Sequence, residues 1–124
     1  MNEKEIEQEI DEKALNAPRI TPAHIGETIA QEHYFTAFEG VLGNEISHPQ
    51  GASVIPQSPP TSLETLTFCV LILRNGFTVT GESACASPEN FNVELGRKIA
   101  KENARNKIWA LEGYLLKQSL ATKG

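Results

Sequence analysis

The chain has 124 residues, of which 40% are hydrophobic and 22% charged, with a formal net charge of −5; these proportions belong to one ordinary globular domain. No apolar run approaches the roughly 20 residues that span a bilayer, the acidic start lacks the pattern of a secretion signal, and no dense basic face exists for a duplex. A cytoplasmic protein with no membrane and no duplex nucleic acid as partner is therefore expected, while a single small anion stays compatible because most of the excess charge sits in residues 2–13.

Residues 1–18 are expected to form an acidic, flexible segment, since Ile6, Ile10 and Leu15 give a stripe too narrow to dock firmly. From residue 19 to 120 the chain is expected to be a single α+β domain. Thr21 can cap a helix with Pro22 at its first position, and Ile25, Ile29 and Ala30 give it a short apolar stripe, so a short N-terminal helix is predicted from Pro22 to about Glu32. The aromatic run His33 to Phe38 suits either a short strand or a tucked connection. Residues 43–62 carry Pro49, Pro56, Pro59 and Pro60, which predicts a long surface loop.

Leu66 to Leu73 predicts a strand that is apolar on both faces, with Leu66, Phe68, Val70 and Ile72 on one side and Cys69, Leu71 and Leu73 on the other. Asn75-Gly76 predicts a two-residue turn, because both residues tolerate positive φ. In that register paired residue numbers sum to 151, so Cys69 faces Glu82 and Val79 joins the face of Ile72. Cys69 and Cys85 then stand too far apart for a disulfide, and free thiols are expected. A long helix follows, capped by Asn90 or Asn92, with Leu95, Ile99, Ala104, Ile108, Leu111 and Leu115 along one side and Trp109, Tyr114 and Leu116 widening it. The predicted architecture is an antiparallel hairpin or sheet packed against this C-terminal helix. A helix longer than the hairpin and a strand apolar on both sides both favour a homo-oligomer.

No catalytic signature appears. His24, His33 and His48 lack the spacing and companion cysteines of a zinc site, no phosphate-cradling glycine loop is present, and no histidine is fixed beside Ser83 or Cys85. No catalytic residue, metal or cofactor is expected, and the chain is not expected to be an enzyme. The connection from Ser83 to Asn92 is the better candidate for binding. It delivers Ser83, Ser87, Asn90, Phe91 and Asn92 to a helix start, where free N–H groups attract anions and a ring can stack on a base. Asparagines also cap helices and a phenylalanine there also staples the first turn. Arg74, Arg97 and Arg105, with Phe77 at the hairpin, complete the candidate set; Arg97 and Arg105 could together grip a pyrophosphate, or each could be a solvated surface charge.

The run LTFCVLILRNGFTVTGESACASPENFNVELGRKIAKENARNKIWALEGYLL, with RITPAHIGETIAQEHYFTAFEGVLG upstream, resembles a family of small bacteriophage and prophage proteins, the gene-49/gene-66 family. That likeness extends over about residues 19–120. By similarity it suggests a relation to phage anti-defence sponge proteins that counter the Thoeris system by sequestering a cyclic ADP-ribose isomer or cyclic oligonucleotide within a symmetric oligomer. The resemblance therefore implies a cyclic nucleotide partner, no turnover, and residence in the host bacterial cytoplasm. The competing reading is a phage accessory protein that inhibits a host protein through its acidic start and proline-rich loop.

Overall fold

A three-stranded antiparallel sheet with a helix of 31 residues laid across one face organises the molecule. The computed structural model describes residues 2–13, 15, 17–49 and 58–123. In chain order these hold α1 (Glu3–Glu12), α2 (Pro22–Thr28), β1 (Ile29–Thr36), α3 (Ala37–Ser47), β2 (Leu66–Leu73), β3 (Thr78–Ala84) and α4 (Val93–Lys123), with short 3-10 turns at Thr61–Thr65 and Pro88–Asn90. The α+β class, the short N-terminal helix and the long C-terminal helix are those the sequence predicts.

Helix α2 starts as expected, with the Thr21 hydroxyl accepting from the His24 N–H at 3.1 Å and Pro22 in the first turn. It ends four residues early, because Ile29 turns extended and opens β1. The aromatic run from His33 thus ends a strand at Thr36 and enters α3 with Ala37 and Phe38, and the central strand β2 is flanked on both sides. Helix α3 extends to Ser47, into the stretch where an irregular loop is expected, behind a capping box in which Thr36 and Glu39 satisfy each other's backbone amides. Residues 50–57 of that proline-rich stretch lie outside the described residues. Helix α1 occupies most of the segment expected to be flexible.

The hairpin corrects the predicted register by one residue. The Leu73 N–H donates to Phe77 O and the Leu73 carbonyl accepts from the Gly76 N–H, both at 2.8 Å, closing a three-residue loop with Gly76 at φ +89° where a side chain would be strained. Paired numbers therefore sum to 150, and Cys69 faces Gly81 rather than Glu82. Because strand side chains alternate with period two, this slip turns every β3 residue over. Val79 and Gly81 now share the helix-facing side with Cys69, Leu71 and Leu73, and Thr78, Thr80 and Glu82 face away.

The core is Ile25, Cys69, Leu71, Leu73, Val79, Ala100, Ala104 and Ile108. Leu71 and Leu73 are thus shielded by their own chain, so that face needs no second copy. Helix α4 docks through Gly96, Ala100, Ala104 and Ile108, each four residues from the next. The larger apolar residues predicted to dock it, Leu95, Ile99, Leu111 and Leu115, are 37–57% exposed. Gly81 explains the choice. A Cβ there would overlap the Ala100 carbonyl oxygen and the Ala104 amide nitrogen, so the helix backbone lies directly on β3 and only small residues fit between. At the free edge of β3, Asn103 Nδ2 donates to the Glu82 carbonyl at 2.8 Å, tying that edge to α4. On the opposite face Phe35 and Phe68 stack at 5.5 Å, with α3 against them at Gly40.

Ionic contacts fasten the periphery. Lys101 Nζ donates to Glu32 at 2.9 Å and the Tyr34 hydroxyl donates to the same carboxylate at 2.8 Å. Those two bonds hold the Glu32 carboxyl below its ordinary range, and the Arg19 guanidinium does the same for Glu7. Carboxyls lowered on folding contribute stability that is complete above about pH 4.3 and lost as pH falls through the folded value. The melting temperature is therefore expected to drop between pH 5 and 3, and the double substitution E7Q/E32Q to flatten that drop; an equally steep fall in the variant would contradict the assignment. Burial raises the Cys69 thiol, leaving it protonated and inert at neutral pH. Cys69 and Cys85 are both free.

Candidate functional site

Strand β3 hands the chain to α4 through a connection held by hydrogen bonds of its own and by one to the turn that precedes β2. The Cys85 N–H donates to Thr65 O at 3.0 Å, the Asn90 N–H to Ser87 O at 3.0 Å and the Phe91 N–H to Pro88 O at 3.2 Å. Asn92 then caps α4, its Oδ1 accepting from the Leu95 N–H at 2.9 Å. Gly96 lets this first turn close on the sheet, since a Cβ there would stand 3.0 Å from Thr67 Oγ1 and 3.6 Å from the Phe91 ring.

Between strand end and helix start lies a cavity of about 130 Å³, bounded chiefly by Ser83, Asn90, Phe91, Asn92, Leu95 and Ile99. Four of the nine residues singled out by the sequence therefore meet there. The other five stand elsewhere. The Ser87 hydroxyl donates to Glu89 at 2.7 Å and holds that carboxyl below its usual range. Arg74 and Phe77 sit at the hairpin tip, a strand length of roughly 20 Å from Ser83, and Arg74 donates to the Glu27 carbonyl. The Arg97 guanidinium lies over the Tyr34 ring at 5.5 Å. Arg105 is bonded to Glu3 and to the Pro22 carbonyl. Arg97 and Arg105 therefore hold different partners and form no joint grip.

Leu95 and Ile99 line this cavity, although their place on the apolar side predicted for α4 points to the core. The signal that could have found them is the four-residue spacing of Gly96, Ala100 and Ala104, which marks another side of α4 as the docking side. Chemically the cavity offers one flat ring, one hydroxyl, the Cys85 thiol, two side-chain amides and two aliphatic walls. No cation is among the lining residues, and the neighbouring connection and first turn carry Glu89 and Glu94. This suits the uncharged base of a nucleotide better than its phosphates. At about 130 Å³ it falls below the roughly 300–1,000 Å³ of sites that engulf a small molecule.

Among the described residues no three His, Cys, Asp or Glu side chains converge as a metal site would require, and no helix is long and apolar enough to cross a membrane. A model of the phage protein (N4 Gp49/phage Sf6 gene 66) family matches residues 20–120. No curated protein and no solved structure matches the chain.

Proposed function

Since the chain belongs to the N4 Gp49/phage Sf6 gene 66 family of phage proteins, we propose that it is a phage accessory protein that sequesters a cyclic nucleotide signal without turning it over. The observation that carries this reading is the convergence of Phe91, Asn90, Asn92 and Ser83 on one cavity at the start of α4. Phe91 stacks on the base and the amides meet its polar edge. One copy supplies half a site. Leu95 and Ile99 line the cavity while 55% and 44% exposed, so a second copy packed on them would deepen it and bring the cations that the phosphates require.

A thermal-shift screen with cyclic dinucleotides, cyclic trinucleotides and cyclic ADP-ribose isomers tests this. At 100 times its dissociation constant a ligand adds about 2.7 kcal/mol, on the order of 10 °C for a domain of this size. Heating the complex should release the nucleotide intact. Phe91→Ala with Asn90→Ala should remove the shift, and Leu95→Glu with Ile99→Glu should both dissociate the oligomer and remove it. Absence of any shift at millimolar ligand, or release only of degraded product, would overturn the reading.

A second reading, binding of a protein partner, is favoured by the other end of α4. At about 1.5 Å per residue its 31 residues extend roughly 46 Å, against roughly 26 Å for the eight residues of β2. The overhang leaves Phe77, Leu111, Tyr114 and Leu115 exposed around a groove of about 320 Å³. Tyr114→Glu should abolish capture of a host protein if this end acts, and leave the thermal shifts intact if the α4 start acts.

A further inference from the structure

Helices α1 and α4 face each other across a cavity of about 450 Å³, a volume within the range of small-molecule sites. From α1 come Glu3, Ile6 and Glu7, which share one side of that helix because they stand three and four residues apart. Helix α4 supplies Glu102, Asn106 and Trp109 at the same kind of spacing. The lining divides into two sorts of surface. Ile6, Trp109 and Pro22 of α2 are apolar, and Trp109 also packs against the core, which holds its ring in place. Among the described residues that line the cavity, the ionisable groups are three carboxylates, Glu3, Glu7 and Glu102.

Two of these carboxylates are oriented from outside the cavity. Glu3 accepts from Arg105 Nε at 3.3 Å and Nη2 at 3.1 Å, and Glu7 accepts from Arg19 Nη1 at 2.8 Å and Nη2 at 2.5 Å. Each carboxylate oxygen thus receives one bond, and a carboxylate has about four lone-pair sites, so both groups can accept more. The Arg19 bond also holds the Glu7 carboxyl below its usual range, which keeps it ionised at neutral pH. Among the described residues Glu102 has no ionic partner. Three carboxylates against two guanidiniums leave an excess negative charge, and α1 carries four further acids against one lysine. The site therefore repels anions and attracts cations.

We propose that this cavity binds a linear aliphatic polyamine, with Glu3, Glu7 and Glu102 taking its ammonium groups and its methylene segments lying along Trp109, Ile6 and Pro22. Such amines are charged at neutral pH, as lysine is, and an ammonium beside the Trp109 ring is attracted by its face. The class follows from the mixed lining. A metal ion would leave the apolar wall unused, and a compact monoamine would leave carboxylates unmatched, whereas a polyamine alternates charge with hydrocarbon. The α1 wall lies outside the residues 20–120 that the family model matches, and the site is separate from the cavity at the start of α4.

Trp109 is the sole tryptophan of the chain, so intrinsic fluorescence follows it without labelling. Spermidine, putrescine, choline and Mg²⁺ are titrated into the full chain, and calorimetry supplies the affinities. Spermidine is expected to bind more tightly than putrescine, with choline and Mg²⁺ leaving the fluorescence unchanged at the same concentrations. Glu102→Gln should weaken spermidine about tenfold, which corresponds to 1.4 kcal/mol, and Ile6→Lys should abolish binding. Both positions are exposed, and circular dichroism checks folding; if Ile6→Lys loosens α1, Asn106→Lys on α4 serves instead and should also abolish binding. The control E89Q/E94Q, which removes two acids near the start of α4, and Phe91→Ala should leave binding unchanged. Equal spermidine affinity in parent and Glu102→Gln, an equal loss in E89Q/E94Q, a fluorescence change with Mg²⁺ as large as with spermidine, or no binding at millimolar spermidine would overturn the proposal.

Discussion

Replacing Gly81 with alanine is expected to destabilise the protein by about 3 kcal/mol or more, the upper end of what overpacking a core produces. The added methyl would meet the Ala100 carbonyl oxygen and the Ala104 amide nitrogen, and would stand 2.9 Å from the Ala104 Cα. These obstructing atoms are backbone, so trimming Ala100 to glycine cannot relieve them. The helix can only retreat from β3, and in doing so it uncovers the contacts of Ala104 and Ile108, both fully buried. A domain of this size is stable by only some 5–15 kcal/mol, so the loss is a large fraction of the whole. Gly81→Val should leave little folded protein at 37 °C. Urea unfolding of the alanine variant measures the effect; a change below 1 kcal/mol would show that α4 does not lie against β3 as closely as described.

The second large effect separates two ways of docking α4. Ile108→Ala should lose about 2–5 kcal/mol, because its side chain is fully buried in the core that also holds Ile25 and Leu71 and leaves a cavity when trimmed. Leu115→Ala, at an apolar residue of the same size seven positions on, should change monomer stability by no more than about 0.5 kcal/mol, since Leu115 is 57% exposed. Denaturant midpoints of the two variants decide the matter. A large loss at Leu115 with little at Ile108 would mean that the helix is docked by the side bearing Leu111 and Leu115 and that the register through Gly96, Ala100, Ala104 and Ile108 is mistaken.

Much of the fold was legible because it depends on neighbours in sequence. Thr21-Pro22 opens α2, Asn92 caps α4, and the limits of β2 follow from its apolar run, all local events with local chemistry. The candidate site was half legible for the same reason. Ser83, Asn90, Phe91 and Asn92 lie within ten residues of one another, so a turn followed by a helix cap brings them together almost regardless of the rest. Arg97 and Arg105 were not placeable in that way. Each took a partner distant in sequence, Tyr34 across the sheet and Glu3 from the first helix.

What the sequence alone determined is therefore the class of the domain, its hairpin, its long terminal helix and the small cluster where they join. Tertiary structure decided which side of that helix is buried, and the reason is steric. Periodicity shows that α4 carries apolar groups on more than one side, but it does not say how near the sheet can come. Gly81 permits backbone contact, and only the side bearing Gly96, Ala100 and Ala104 is thin enough to accept it. That choice, together with a loop one residue longer than the turn motif suggests, leaves Leu95 and Ile99 exposed beside the cavity and turns Val79 into the core.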